Sequence, residues 1–188
     1  MTRLFGGMEL KTMATTKWAD LQGELGRLSE GSLADAQAVE RIIAPRVAVA
    51  VPVLRRDETT MKSEVGATGT RVTFKIPFTG SGSFLYMRVP TAGTHPVIQG
   101  DITAVSRHAP EATILELEHN FATDVTPEQV REWGKARVDE VEQELELLRG
   151  AVDHVFAGLR QRAESLAADR LTALRKQRTL DEGLGRGI

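Results

Sequence analysis

One helical pattern over residues 126–178 constrains this chain more than any other feature of its sequence. The pattern has a strong start, because Thr126 is a good N-cap residue, Pro127 suits the first helical position and Gln129 completes a capping box. No proline follows Pro127. The sequence therefore predicts a long C-terminal helical region that begins at Thr126.

Apolar residues recur along this region at intervals of three and four, which places them in one narrow stripe along a helix. The stripe consists of Val138, Val141, Leu145, Leu148, Val152, Val155 and Leu159. A stripe of this width is typical of a helix that pairs with another helix. We therefore predict that these residues form an interaction seam with a second copy of the chain or with a helical protein partner.

Charge divides the helical region in two near Gly150. Three basic and seven acidic residues give residues 126–148 a net charge of −4, whereas seven basic and three acidic residues give residues 149–178 a net charge of +4. Opposite charges suit two antiparallel helices that turn near Gly150, and average helix lengths favour the turn. The stripe runs in phase through Gly150, which favours one rod of about 80 Å instead. The turn is the preferred prediction, and a helix-mediated partner is expected under either geometry.

The composition excludes several classes of partner. The chain has 188 residues, of which 24 are basic and 26 acidic, and its net charge of −2 predicts no general attraction to nucleic acid or membranes. No apolar run approaches the roughly 18 residues of a membrane span, and the N-terminus lacks the hydrophobic centre of a signal peptide. There is no cysteine. We therefore expect a cytoplasmic protein without a membrane partner.

Two short helices are predicted ahead of a strand-rich middle. The first carries Trp18, Leu21, Leu25 and Leu28 on one face. A second helix is expected to open at Ser32 and to stop before Pro45, because proline disrupts helix interiors.

Five strands are predicted, over residues 46–54, 71–78, 84–89, 97–106 and 113–121. The first is apolar on both faces and should be central, and the polar stretch between Leu54 and Arg71 is predicted to be a long loop. Short connections between successive strands imply an antiparallel meander. The predicted fold is therefore α+β, with about five mostly antiparallel strands. A helix-capped sheet domain is predicted over residues 1–125 and a C-terminal helical pair, a hairpin or a coiled-coil-like appendage, over residues 126–188, with the packing of both as one domain as the alternative.

Strand alternation over residues 84–89 predicts an outward face that adjoins the neighbouring strand. Its residues are Phe84, Tyr86, Arg88 and Lys75. Aromatic and basic groups together can stack against and hold single-stranded nucleic acid or a phosphorylated ligand. The alternative, which we prefer, is that helices cover this face and that Glu116 and Glu118 neutralise the basic residues across strands.

Motifs for catalysis or cofactor binding are weak. The sequence Gly80-Ser81-Gly82 lacks the Lys-Ser/Thr of a P-loop and precedes a predicted strand, so it predicts a hairpin turn. The histidines, His95, His108, His119 and His154, have no metal-ligand spacing. An acid/base pair at one sheet edge could be drawn from Asp101, His108, Glu111, His119 and Asp124. No nucleophile stands out, so we predict no catalytic residue, no cofactor and no metal.

The segment Ile76-Pro77-Phe78-Thr79-Gly80, followed by Arg88-Val89-Pro90-Thr91, resembles a pattern found in small uncharacterised bacterial proteins. In that pattern an Ile-Pro-Phe-x-Gly strand end precedes an Arg-Pro-Ser type turn, a meander and two C-terminal helices. Here Val89 departs from the pattern, because it separates Arg88 from Pro90. The resemblance covers residues 70–180 and implies an accessory component of a multi-gene bacterial system, with anti-phage defence as one such system. It implies no catalytic residues.

Together these patterns predict a non-enzymatic binding or assembly protein that acts through its C-terminal helices. Nucleic-acid binding by the aromatic and basic face is the second hypothesis. An unrecognised hydrolase is the third.

Overall fold

The computed structural model describes residues 1–88, 96–104 and 113–185. Its fold is α+β, as the sequence predicts, with an antiparallel sheet, short N-terminal helices and a long C-terminal helix. The helices are α1 (Leu10–Leu25), α2 (Glu30–Ala34), α3 (Ala36–Val47) and α4 (Pro127–Gly185). The strands are β1 (Thr2–Arg3), β2 (Val53–Leu54), β3 (Thr60–Gly66), β4 (Gly69–Thr79), β5 (Gln99–Ala104) and β6 (Thr113–Phe121). Within the described ranges, every helix is too short or too polar to cross a membrane.

Internal contacts divide the chain into two compact units. The sheet unit comprises residues 1–10 and 50–152, and the helical unit comprises residues 11–49 and the chain from residue 153 onward. α4 contributes residues to both units. This division therefore does not coincide with the boundary at residue 125 that the sequence suggests.

The sheet unit is organised around β4. This strand pairs with β6 along one edge and with β2 and β3 along the other, while β5 pairs with β6 and β1 pairs with β5. Every pairing is antiparallel, as predicted. The order is not that of a simple meander, because β6 lies between β4 and β5.

The two longest strands of this sheet follow the sequence pattern closely. β4 alternates buried residues with partly exposed ones, and β6 does the same over its first half. The buried members are Val72, Phe74, Ile76, Phe78, Leu115 and Leu117. The predictions over residues 71–78 and 113–121 are confirmed. The strand predicted over residues 97–106 corresponds to β5, and its end lies outside the described residues.

The central strand predicted over residues 46–54 is wrong. α3 continues past Pro45 into its last turn, where the N–H of Ala48 donates to the carbonyl oxygen of Ala44 at 2.8 Å. Pro45 removes one helical hydrogen bond, and α3 ends two residues after it. Only Val53–Leu54 pairs with β4.

The long loop predicted between Leu54 and Arg71 is also wrong, because it contains β3. This strand pairs with β4 through a tight turn that ends at Gly69. Gly69 has a φ of +156°, and a Cβ there would lie 2.2 Å from the carbonyl oxygen of Phe121, so only glycine fits. All seven residues of β3 are exposed, which is why hydrophobic alternation gave no signal for it.

The strand predicted over residues 84–89 begins instead within a 3₁₀-helix, Gly82–Tyr86. Gly80, with a φ of +91°, redirects the chain after β4, and the N–H of Phe84 then donates to the carbonyl oxygen of Ser81 at 3.2 Å. The end of that predicted strand lies outside the described residues. Because a 3₁₀-helix does not alternate its side chains across two faces, the predicted outward face is lost.

α4 is one continuous helix of 59 residues, so the predicted pair of helices with a turn at Gly150 is wrong. The capping box is confirmed. The N–H of Gln129 donates to the hydroxyl of Thr126 at 3.3 Å, and the N–H of Thr126 donates to the side-chain oxygen of Gln129 at 2.9 Å. No heavy atom lies within 4 Å of the place where a Cβ of Gly150 would be. A lone glycine costs a helix about 1 kcal/mol, which a helix with a buried face tolerates.

The helical unit contains most of α1, with α2, α3 and the later part of α4. Its short helices are capped by side chains: Ser29 accepts the N–H of Ser32, and Asp35 accepts the N–H of Gln37. The two predicted N-terminal helices are present as α1 and α3, with the short helix α2 between them. The predicted bounds of the second are wrong, because Ser32 lies within α2 and α3 runs from Ala36 past Pro45. The core of the unit includes Leu21, Leu25, Leu33, Ile43, Phe156, Leu159, Ala163 and Ala167.

Candidate functional site

The predicted interaction seam lies inside the chain. Six of its seven residues are buried, namely Val138, Val141, Leu145, Leu148, Val152 and Leu159. Val155 is only half-buried, and the neighbouring Phe156 takes the buried position. Core packing therefore explains the stripe, and in this structure the seam is not accessible to a partner.

The predicted ligand face is not assembled. Phe84 is buried, Tyr86 is half-buried and only Arg88 is exposed. The ammonium of Lys75 lies 3.0 Å from the carboxylate of Glu116, so its charge is neutralised across strands as the preferred alternative predicts. These contacts leave no combined aromatic and basic surface at this position.

The proposed acid/base residues make structural contacts where the structure describes them. Asp101 accepts the N–H of Thr2 at 3.0 Å and lies 3.3 Å from the amine of Met1. Burial would raise the pKa of Asp101, but the hydrogen bonds from the amine and from Thr2 outweigh it and hold the pKa below its ordinary value. A carboxylate held ionised in this way is poorly suited to act as a general acid.

The remaining members of that set form no catalytic arrangement among the described residues. His119 stacks on the ring of Trp133, with 4.7 Å between ring centroids, and Asp124 is exposed. His108 and Glu111 lie outside the described residues. In the part of the chain that the structure describes, no three His, Asp or Glu side chains gather into a possible metal site.

A different feature of the sheet unit has the form of a binding site. A hollow of about 280 Å³ opens between the start of β3 and the first turns of α4, above β4. We call it the β3–α4 hollow. Its lining residues are Arg56, Thr59, Met61, Phe74, Arg131, Gly134, Lys135 and Val138.

The floor of the β3–α4 hollow is apolar because α4 approaches β4 closely. A Cβ at Gly134 would lie 2.3 Å from Cε1 of Phe74, so the absence of a side chain at Gly134 is what admits the phenyl ring. Trp133 packs against the same ring, with 5.5 Å between centroids. Phe74, Val138 and Met61 then provide the apolar lining.

The rim of the hollow is cationic, and one of its cations is held by the protein. Arg56 donates to the carboxylate of Glu142 at 2.6 Å and also binds that of Asp139. The hydrogen bond to Glu142, followed by that to Asp139, raises the pKa of Arg56 above its ordinary value. Arg56 therefore fixes the start of β3 to α4 and has little capacity left for a ligand.

The other two cations are exposed to solvent. Arg131 lies 3.6 Å from Glu128 in an exposed pair, and Lys135 forms no ion pair with any residue that the structure describes. Arg131 and Lys135 are one helical turn apart, and like charges at this spacing destabilise a helix by about 0.2–0.5 kcal/mol. Glu128 offsets part of this repulsion, and an anion bound between the two cations would reduce it further.

A larger hollow of about 420 Å³ lies at the turn between β3 and β4. Glu64, Arg71 and Asn120 contribute to its lining, which is mostly polar and of mixed charge. It offers neither an apolar floor nor one sign of charge. The β3–α4 hollow is therefore the better candidate, because ligand sites combine apolar lining with a few placed polar groups.

The hollow was not predicted from the sequence, because the residues of β3 were expected to form a loop. Two signals were nevertheless present. Gly134 interrupts a helical pattern, and an isolated glycine there often marks a close packing contact. Arg131 and Lys135 place two like charges one turn apart on the same helix.

No protein-family model, curated protein or solved structure matches this chain. The geometry of its own residues is therefore the basis for assigning a function.

Proposed function

We propose that this chain is a non-enzymatic binding protein and that its partner-binding surface is the β3–α4 hollow. One observation carries the proposal: the exposed cations Arg131 and Lys135 stand beside an apolar floor made by Phe74. This combination suits a partner that presents an apolar group with a carboxylate close by.

The size of the hollow, at the lower end of the range for ligand sites, suits a single anchoring side chain of a protein partner. Sites that enclose small molecules usually measure about 300–1,000 Å³. At about 280 Å³, the β3–α4 hollow has room for an anchoring side chain. Anchors of this kind, set in a pocket and surrounded by weaker contacts, dominate the energy of many protein interfaces.

In this proposal α4 contacts the partner through its exposed face and not through the seam residues. Arg131 and Lys135 belong to its first turns, and their side chains are directed away from the buried stripe. Self-association through the seam residues loses its support, because those residues already pack inside the chain.

Nucleic-acid binding gains no specific support from the structure. In the basic later part of α4, Arg160 binds Glu40 at 2.6 Å and Arg178 binds Glu30 at 2.9 Å. These contacts neutralise much of the charge that phosphates would need. We therefore do not advance it as a second function.

We also propose a cytoplasmic location and an accessory role in a multi-gene bacterial system. The resemblance of residues 70–180 to small bacterial proteins of such systems supports this role. Deletion of the gene should abolish the phenotype of the neighbouring genes, and Lys135→Glu should do the same if the hollow carries the function. A wild-type phenotype after deletion would contradict the accessory role.

Selection of displayed peptides tests the binding surface. A random peptide library is selected on the immobilised wild-type protein, and the enriched peptides are then measured against Lys135→Glu. We expect peptides with an apolar residue beside aspartate or glutamate to be enriched. Their affinity should fall about tenfold in Lys135→Glu, which corresponds to about 1.4 kcal/mol.

Lys176→Glu is the matched control, because Lys176 is an exposed lysine on the same helix and belongs to the helical unit. The enriched peptides should bind this variant as they bind the wild type. Equal affinity for wild type and Lys135→Glu, or no enrichment at all, would contradict the assignment of the β3–α4 hollow.

A further inference from the structure

β3 presents a free edge to solvent. It pairs with β4 along one side, and no other described strand pairs with it. In an antiparallel ladder every second residue directs its N–H and C=O away from its partner strand. The outer edge of β3 therefore offers a row of backbone donors and acceptors, which is a template for one more strand.

The usual protection of such an edge is weak here. Natural edge strands are often shielded by proline, by a bulge or by charged side chains. β3 contains no proline, and its two charged residues, Lys62 and Glu64, bind each other at 2.7 Å. Residues two apart share one face of a strand, so this ion pair stands on a single face and leaves the other face without charge.

That other face carries no charge and meets the β3–α4 hollow at Met61. Met61 is paired directly with Phe74, whose side chain is part of the floor of the hollow. Val65 lies on the same face as Met61, four residues along, and the two side chains are 82% and 52% exposed respectively. Exposed apolar side chains that extend a buried surface are typical of an interaction site.

The cations that line the hollow favour an acidic partner. Lys135 and Arg131 stand on α4 across the hollow from Met61. Acidic side chains of a partner would meet these two cations, and an apolar side chain between them would enter the hollow.

We propose that the β3 edge binds an extended acidic segment of a protein partner by strand addition, with one apolar side chain of that segment anchored in the β3–α4 hollow. The inference rests on the proposed function and names its partner class. Backbone hydrogen bonds to β3 supply affinity, while the hollow and its cations select the apolar and acidic side chains. A docked helix would use the same hollow but would leave the β3 edge unpaired.

The test is a nuclear magnetic resonance titration of the ¹⁵N-labelled protein with designed peptides. The probe is a ten-residue synthetic peptide of valine and threonine with one central phenylalanine and an aspartate two residues away on each side of it, so that the three side chains share one face of the strand. Its strand-blocked versions each carry one N-methyl group, placed at successive positions along the peptide. A helix-constrained peptide with the same phenylalanine and aspartates at helical spacing is the comparison.

We expect the extended peptide to shift the amide signals of β3 and of Gly134, and Lys135→Glu to weaken its binding about tenfold. N-methylation should reduce affinity about tenfold at every second position and little at the positions between, because only alternate N–H groups face β3. That period of two is the signature of strand addition.

Two results would overturn the inference. If the helix-constrained peptide occupies the hollow while the extended peptide does not, strand addition is wrong but the proposed function stands. If neither peptide shifts β3 or Gly134, strand addition is also wrong, and the displayed-peptide selection separately decides the proposed function.

Discussion

Gly134 is the residue on which the candidate site depends most directly. Without a side chain at this position, the ring of Phe74 lies against α4 and forms the floor of the β3–α4 hollow. In an ordinary helix interior, glycine is about 1 kcal/mol less favourable than alanine. Alanine would suit the helix better than glycine at this position, but its Cβ would collide with the ring of Phe74. The close packing of α4 on β4 therefore requires glycine.

Gly134→Ala should therefore destabilise the protein, although the same change usually stabilises a helix. The new Cβ would lie 2.3 Å from Cε1 of Phe74, so the ring or the helix must move. We expect a loss of about 1–3 kcal/mol in the free energy of unfolding, measured by urea denaturation. Gly150→Ala is the matched control on the same helix, since nothing lies within 4 Å of its Cβ position, and it should gain about 0.5–1 kcal/mol. Equal gains in both variants would show that α4 does not approach β4 as described.

Among the single elements, α4 packs its long apolar stripe into the protein core. Leu145→Glu should therefore cost stability and not merely dissociate an oligomer. Leu145 is buried, so the variant loses apolar contacts and places a carboxylate in the interior, at a cost of about 3–5 kcal/mol. Urea denaturation followed by circular dichroism measures the loss.

Leu147→Glu provides the control, because Leu147 is exposed on the same helix. We expect its stability to remain within about 0.5 kcal/mol of the wild type. If Leu145→Glu folded as stably as the wild type but changed a dimer into a monomer in light scattering, the seam would be an interface after all.

The pairing of β3 predicts how fast its backbone amides exchange hydrogen with solvent. Because it is paired along one side only, its amides should alternate between slow and fast hydrogen exchange, with a period of two residues. The amides of β4, which is paired on both sides over most of its length, should be slow throughout. Hydrogen exchange followed by nuclear magnetic resonance measures both strands in one experiment. Uniform protection along β3 would mean that its outer edge is already paired.

The elements also show what the sequence could predict. The capping box at Thr126 and the alternation in β4 and β6 were predicted correctly, because the local sequence preferences agree with the burial pattern at those positions. β3 was missed because an edge strand with seven exposed residues has no hydrophobic period to detect. The turn at Gly150 was wrong because the prediction relied on helix-length averages, whereas the in-phase stripe correctly indicated one helix.

The candidate site itself was less predictable than the fold. Phe84 was expected to be exposed, but a 3₁₀-helix replaces the strand and the ring is buried. The β3–α4 hollow combines residues far apart in the chain, such as Met61 and Lys135, whose proximity follows from strand pairing and helix packing. Sequence spacing alone carries no information about that proximity.

At the scale of the whole molecule, both compact units have buried cores, and the surface that we assign to binding belongs to the sheet unit alone. In the helical unit, Arg160 and Arg178 are each paired with a glutamate of the same unit. The central claim is therefore that a protein partner contacts the β3–α4 hollow.

Site-specific photo-crosslinking in the native host tests that claim most directly. Met61 is replaced by the photo-reactive residue p-benzoylphenylalanine, and Leu180, which is equally exposed at 51% against 52%, is replaced as the control. The account predicts one dominant protein adduct from position 61, strongly reduced by an added Lys135→Glu, and no such adduct from position 180. The absence of an adduct at position 61, or an adduct that Lys135→Glu leaves unchanged, would contradict it.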